Sequence, residues 1–297
     1  MIEVVEKRRD VTIVKMRDGS ALVIACDSLG GIGPKESDVV KVPGYVVGRF
    51  TARVPLMEVM AAGATPVLLV DTLSVKMHPV GLDILRGIRD EVAAAGLKEL
   101  PEITGSTEEN IPTVQTALGV TVIGFIPADT GGLRIGSSKL HDVVVCIGVP
   151  KVGCEVRLND PELADPGLVS QLLGLGYIHD ILPVGSRGVG YEVNVMAETA
   201  GLRFHAFEFH NLEHAPTSGL ASSTASPIDV AARGPLQAGI RVGATGNIDM
   251  KKSAGPATCL LVSLPPQNLG DLRRAISKPI TLLGSFHVDE IASHPLA

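Results

Sequence analysis

The chain is predicted to be a two-domain α/β protein, mixed α+β in detail, and three observations predict it. Val- and Ile-rich segments of strand character alternate with amphipathic helical segments in both halves. Glycine (33) and proline (20) are spread over 297 residues without a period, which means many turns and no fibre. Hydrophobic residues make up 45% and charged residues 20%, so the chain folds, and with aromatics at only 3% its core must be aliphatic.

The elements follow in order. IEVV, VTIVKM and ALVIAC read as three strands, with a turn at Asp18-Gly19 and Asp27 at the end of the third. SLGGIGPKESD follows, and its three glycines, proline and charges predict an irregular, mobile, ligand-covering loop. Residues 45–62 are helical by period, with Val47, Phe50, Val54 and Ala61 on one face, Pro55 as a kink or second start, and Gly63 as the stop. VLLVD (67–71) is an apolar strand ending in an acid, and a helix over 79–95 carries Leu82, Leu85, Ile88 and Val92. TVQTALGVTVIGF supplies another strand. The polar segment 129–142 is the expected boundary, giving domains 1–135 and 136–297. Beyond it come the strand VVVCIGV, helices over 166–175 and 192–200, the small polar loop 215–227, CLLVSL, a helix over 269–276 and ITLLGSF.

Composition also limits function. Lys and Arg number 26 against 32 Asp and Glu, and a net charge of −6 opposes attraction to nucleic-acid backbones or anionic lipid. The longest uncharged run, 111–128, is too polar for a membrane span. MIEVVEKRRD lacks a signal-peptide pattern, and four cysteines without a CxxC pair suit a reduced, cytoplasmic setting.

Nucleotide motifs built on glycine-lysine are absent. GSRGVG (185–190) lacks Rossmann spacing, although its glycines before a helix could receive an anion. HNLEH (210–214) matches H-x-x-E-H, but the alternation before it reads as a strand running into a loop, so His210 and His214 would not converge on zinc. The stronger signal is acids in apolar places. Glu58 sits beside the apolar face of its helix, and Asp27 and Asp71 follow aliphatic strands. With Asp10 and GSTEEN (105–110) they suggest a magnesium-phosphate site.

Arg9-Asp10-Val11, Ala25-Cys26-Asp27 before a glycine loop, Leu56-Met57-Glu58-Val59 leading into Ala62-Gly63-Ala64-Thr65-Pro66, and Thr104-Gly105-Ser106-Thr107 together resemble the aminoimidazole ribonucleotide synthase (PurM-like) superfamily. The resemblance implies an ATP- and Mg²⁺-dependent enzyme of two α/β domains, a homodimer whose N-terminal sheets join as a barrel. By position it implies metal binding by Asp10, Asp27 and Glu58, the last replacing the family's usual Asp. It implies ATP contacts from Gly30, Gly31, Gly33, Lys41, Arg53 and Thr107, and catalytic work by Asp71 or Glu108. The family's Gly-Gly-acid-Thr becomes Thr104-Gly105-Ser106-Thr107, and its Asp-x-Ser-Asp-Gly is reduced to Asp180-Ile181-Leu182-Pro183 and Gly185-Ser186-Arg187-Gly188. No cysteine lies in residues 28–38, unlike selenophosphate synthetases, and the chain ends without the cysteine of the hydrogenase-maturation enzymes. ACDSLGGIGPK, DVVKVP and ITGSTEEN resemble the α-ribazole kinases of cobalamin salvage. The expected acceptor is therefore a nucleoside-like small molecule. A synthase-type reaction and a non-catalytic nucleotide-binding regulator are the alternatives.

Overall fold

A computed structural model describes residues 1–128, 132–207 and 248–288. The His210 and His214 motif and the loop 215–227 lie outside the described residues. Among those described, two sheets carry the chain. The first has six strands in the order β1-β2-β3-β8-β6-β7, and the second five in the order β10-β12-β9-β13-β11.

The first sheet begins with β1 (Ile2–Arg8), β2 (Val11–Met16) and β3 (Ala21–Gly30), an antiparallel meander. It continues with β8 (Ala117–Ile126), β6 (Thr65–Leu73) and β7 (Glu102–Thr107), where β6 and β7 run parallel. Helices α1 (Gly44–Ala61) and α2 (Leu82–Ala94) cover one face. Val11, Ile13, Val23, Ala25, Leu69, Val120 and Val122 point into that core, as the two-residue period of a half-covered sheet requires. The two helices meet backbone to backbone. A Cβ on Gly48 would lie 2.0 Å from the Ile84 carbonyl oxygen, and one on Gly87 would lie 2.1 Å from that of Tyr45.

The second sheet is buried on both faces. Its strands β9 (Val143–Gly148), β12 (Cys259–Leu264) and β13 (Ile280–His287) are buried at almost every residue and are mostly apolar. β10 (Asp180–Pro183) and β11 (Arg203–Ala206) form the edges. Helices α3 (Pro166–Leu173), α4 (Val189–Thr199) and α5 (Leu269–Ala275) pack against this sheet, and the buried end of α1, at Met57, Met60 and Ala61, joins its core. Phe204 packs edge to face on the buried Phe286 at 6.3 Å.

Three expectations are corrected. Ser28–Gly30 are not loop: they extend β3, because Gly119, Leu118 and Ala117 of β8 offer them a continuing ladder. The glycine segment then forms β4 (Ile32–Gly33), parallel to β5 (Val40–Lys41). Its ordering comes from the buried Asp38, whose carboxylate accepts from the Thr116 N–H and hydroxyl, both at 2.7 Å, and from the Lys35 N–H at 2.8 Å. Those bonds outweigh burial and hold its pKa below the usual value. Second, Asp27 and Asp71 do not terminate strands, since β3 and β6 run on past them. Third, Pro55 neither starts nor splits a helix, and α1 runs through it over 18 residues.

Candidate functional site

The site is built where the first sheet meets α1 and the second sheet. In the ladders, Asp27 of β3 stands opposite Val120 of β8, Val120 opposite Asp71 of β6, and Asp71 opposite Gly105 of β7. Registered neighbours share a face, so the two acids flank Val120 on the helix-covered side, about 10 Å apart at the usual strand spacing. Asp10 occupies the turn between β1 and β2. The pairing of Thr12 with Ile24 brings that turn level with Cys26 and Asp27.

Glu58 projects from the last turns of α1 towards this group, and its buried Oε2 has no hydrogen-bond partner. Burial, then the charges of Asp10, Asp27 and Glu192, push its pKa up to about 9. Burial also raises Asp27, against a hydrogen bond from the Ser28 N–H. Sequence reasoning did not single out Glu192. It lies in the first turn of α4 and is raised to about 7 by burial and by Asp10, against the Gly185 N–H and the charges of Arg187 and Arg9. Its only sequence signal was an acid following a glycine-rich turn.

Arg9 ties the two sheets together. Its backbone is left-handed, with φ +52°, and its guanidinium grips the fully buried Asp180 through Nη1–Oδ1 at 2.9 Å and Nη2–Oδ2 at 2.5 Å. Nη2 also donates to the Thr199 hydroxyl at 2.8 Å. Asp180 is thereby committed to an ion pair, and its neighbours Ile181, Leu182 and Pro183 help line a cavity with Asp10 and Glu58.

The remaining candidates separate into two groups. Gly30, Gly31, Gly33 and Thr107 gather at one end of the sheet, where β3, β6 and β7 finish: Gly31 N–H donates to the Thr116 carbonyl, and Thr107 stands opposite Leu73. Gly33, at φ +154°, has no room for a Cβ, which would meet the Thr116 hydroxyl at 2.4 Å. Lys41 is exposed and donates to the carbonyls of Lys35 and Glu36, the latter at 2.6 Å, in the same segment.

The structure does not bring the others there. Arg53 is buried, donating to Glu91 at 2.6 Å and to the Ala164 carbonyl at 3.1 Å, so it joins α1 to α2 and to the second core. Glu108 is a turn cap: its carboxylate accepts the Ile111 and Asn110 N–H groups at 3.0 and 2.7 Å, which hold its pKa below the usual range. A carboxylate so stabilised is a poor base. Asp71, across Val120 from Asp27, is 4% exposed and raised by burial, against the charge of Arg89.

Among the described residues, no three His, Cys, Asp or Glu side chains already converge as metal ligands. The fit to a cation is electrostatic. An orphaned buried carboxylate oxygen among three other acids has no favourable ionised state without a positive charge between them. Asp10, Asp27 and Glu58 suit a hard divalent ion in ligand type.

Comparison places the architecture. Residues 8–126 match the model of the family AIR synthase related protein, N-terminal domain. The fold is PurM-like throughout. It is similar to thiamine-monophosphate kinase from Stenotrophomonas maltophilia K279a, at TM-score 0.56 and 16% identity over 97% of this chain and 89% of that one. It is similar to hydrogenase maturation protein HypE in complex with ATP, at TM-score 0.54 and 15% identity over 90% and 77%. It also resembles T. maritima PurL complexed with ADP, at TM-score 0.57 and 14% identity, over 97% of this chain and 43% of that one. No curated protein matches the chain in sequence. Among the described residues, no helix is long and apolar enough to cross a membrane.

Proposed function

We propose that the protein is an ATP- and Mg²⁺-dependent kinase acting on a nucleoside-like hydroxyl, with α-ribazole as the acceptor. The observation that carries the reading is the buried, unpartnered Glu58 oxygen facing Asp10 and Asp27, in a PurM-like fold whose neighbours include a kinase and proteins holding ATP or ADP.

In this reading Asp10, Asp27 and Glu58 hold Mg²⁺, which supplies charge neutralisation to the nucleotide phosphates. Gly30, Gly31 and Gly33 let the chain approach the phosphates closely, and Thr107 offers a hydroxyl at the same end of the sheet. Lys41 needs only to exchange two carbonyl partners for phosphate oxygens. Asp71, whose pKa burial raises, is a more basic carboxylate than Glu108, whose pKa is lowered, and is the better suited of the two to accept a proton from the acceptor hydroxyl. The preference for α-ribazole rests on the ACDSLGGIG and GSTEEN resemblances and on an aliphatic chain suited to a hydrophobic base.

The test is incubation with ATP, Mg²⁺ and α-ribazole beside thiamine monophosphate and aminoimidazole precursors, read by mass spectrometry. The expected product is α-ribazole phosphate, with ATP binding lost in Asp27→Asn. A competitor phosphorylated with α-ribazole untouched removes the substrate. Cyclised product with free phosphate makes the enzyme synthase-type, and ATP bound without any turnover makes it a regulator.

A further inference from the structure

Arg8 pairs with Val11, so Arg9 and Asp10 are the two residues of the hairpin turn between β1 and β2. Arg9 takes left-handed backbone there, at φ +52°, and Asp10 does not. A two-residue turn whose first residue is left-handed ordinarily places glycine at that position, because a Cβ is costly in it. An arginine persists in such backbone only when contacts elsewhere over-determine it. Its side chain supplies them. Besides the bonds to Asp180, Nε donates to the Thr199 hydroxyl at 3.2 Å and Nη1 to the Ile181 carbonyl at 3.4 Å, so that every donor of the guanidinium has an acceptor.

The receiving side is fixed as well. Asp180 Oδ2 also accepts the Gly136 N–H at 3.2 Å and the Ser138 hydroxyl at 3.3 Å, and Ser138 is hydrogen-bonded to Ser263 of β12 at 2.9 Å. The Thr199 hydroxyl donates back along α4 to the Val195 carbonyl at 2.9 Å. Asp10, by contrast, is exposed, and among the described residues its carboxylate makes no hydrogen bond or ion pair. Its place is set through the backbone alone. The β1–β2 ladder fixes the turn relative to the first sheet, whereas Arg9 fixes it against β10, whose residues Ile181, Leu182 and Pro183 wall the cavity that Asp10 and Glu58 also line. Stability alone does not account for the arrangement, since a buried ion pair gains little over well-packed apolar residues and this one adds a strained backbone. What it gains is a defined geometry for the neighbouring residue.

We infer that Arg9 is a positioning residue for Asp10: its ion pair with Asp180 holds the turn so that Asp10 and Glu58 line one cavity, and cation binding weakens when the pair is replaced even though the fold survives. The inference rests on the proposed reading of Asp10, Asp27 and Glu58 as cation ligands, and its test separates the two. Arg9 and Asp180 themselves touch no cation, because each is spent on the other.

The experiment is a Mn²⁺ titration of the full chain with a non-hydrolysable ATP analogue, with free Mn²⁺ read by its paramagnetic resonance signal. Arg9→Met combined with Asp180→Leu removes both charges together and leaves neither buried unpaired, so the protein should stay folded and bind Mn²⁺ about tenfold more weakly, the scale of losing a group that orients a metal ligand. Arg9→Lys keeps a charge beside Asp180 without the planar fork and should fall between that variant and wild type. Lys278→Met breaks an ion pair of the second half, to Asp165 at 2.8 Å, and should lower the melting temperature while binding Mn²⁺ as wild type does. Circular dichroism identifies the folded variants. Wild-type affinity in either folded Arg9 variant, with affinity lost in Asp27→Asn, overturns the role of Arg9 and leaves the acids as cation ligands. An equal loss in Lys278→Met makes the effect one of stability and overturns it too. Wild-type protein that binds no Mn²⁺ overturns both readings.

Discussion

At the scale of single residues, the acid row depends on a glycine. Asp71 and Gly105 are registered across parallel strands, and a Cβ at Gly105 would lie 2.4 Å from both the Asp71 carboxyl carbon and its carbonyl oxygen. Because one of those contacts is backbone, no rotamer of Asp71 relieves it, and β7 must move off β6. Gly105→Ala should lower stability, by less than the about 1–3 kcal/mol of overpacking a filled interior because the exposed edge strand β7 can shift outward. Urea unfolding of the variant checks it, and an unchanged midpoint would mean that the strands part freely. The same contact explains why a glycine stands at the second position of Thr104-Gly105-Ser106-Thr107.

At the scale of elements, the end of β13 carries a group of rings unrelated to the acid site. His287 stacks on His205 of β11 at 4.5 Å and meets His141 edge-on at 5.8 Å, while its Nε2 lies 2.9 Å from the Ser285 hydroxyl. Burial, then His205 and His141, hold the His287 pKa below its ordinary 6.5. The unfolded chain therefore binds this proton more readily than the folded one, so the contribution is present above pH 6.5 and is lost as pH falls towards the folded value. His205→Gln should make the decline in melting temperature between pH 7 and 5 shallower than in wild type. Identical slopes would show that the rings titrate independently.

Periodicity revealed most of these elements. α1, β9, β12 and β13 were legible because their buried residues are numerous and regularly spaced, as with Val47, Phe50, Leu56 and Ala61 along α1. β7 was not, since the edge strand EITGST is largely exposed and carries no alternation. Ser28–Gly30 looked like loop because the reason for their extension lies in β8, nearly a hundred residues away. The site followed the same division. Asp10, Asp27 and Glu58, the proposed ligands, were visible as acids in apolar or motif settings, whereas Glu192 stands out only through its burial and the charge of Asp10 in the folded chain. Arg53 misled because its charge suggested phosphate, while its burial against Glu91 comes from the pairing of α1 with α2.

For the whole molecule, the first sheet poses a question of cover. One face is closed by α1 and α2, while Ile2, Val4 and Val5 of β1, Val67 of β6 and Phe125 of β8 remain exposed. An uncovered sheet with an apolar outer surface and a free edge at β1 invites another copy. The proposed homodimer closes this face, and sedimentation at micromolar concentration should give twice the chain mass. Phe125→Asp should shift the equilibrium to monomer without loss of helical signal. A wild-type monomer at that concentration would leave the outer face unexplained.

The grip of Arg9 on Asp180 bears on how the protein is born. The two residues are 171 positions apart, and at translation rates of about 5–20 residues per second the ribosome needs roughly 10 to 30 s to travel from one codon to the other. Throughout that interval the turn carrying Asp10 has emerged, but the anchor that orients it does not yet exist. Until Asp180 is made Arg9 lacks its partner, so any orientation of the Asp10 turn that depends on this ion pair arrives late in synthesis, with the second half.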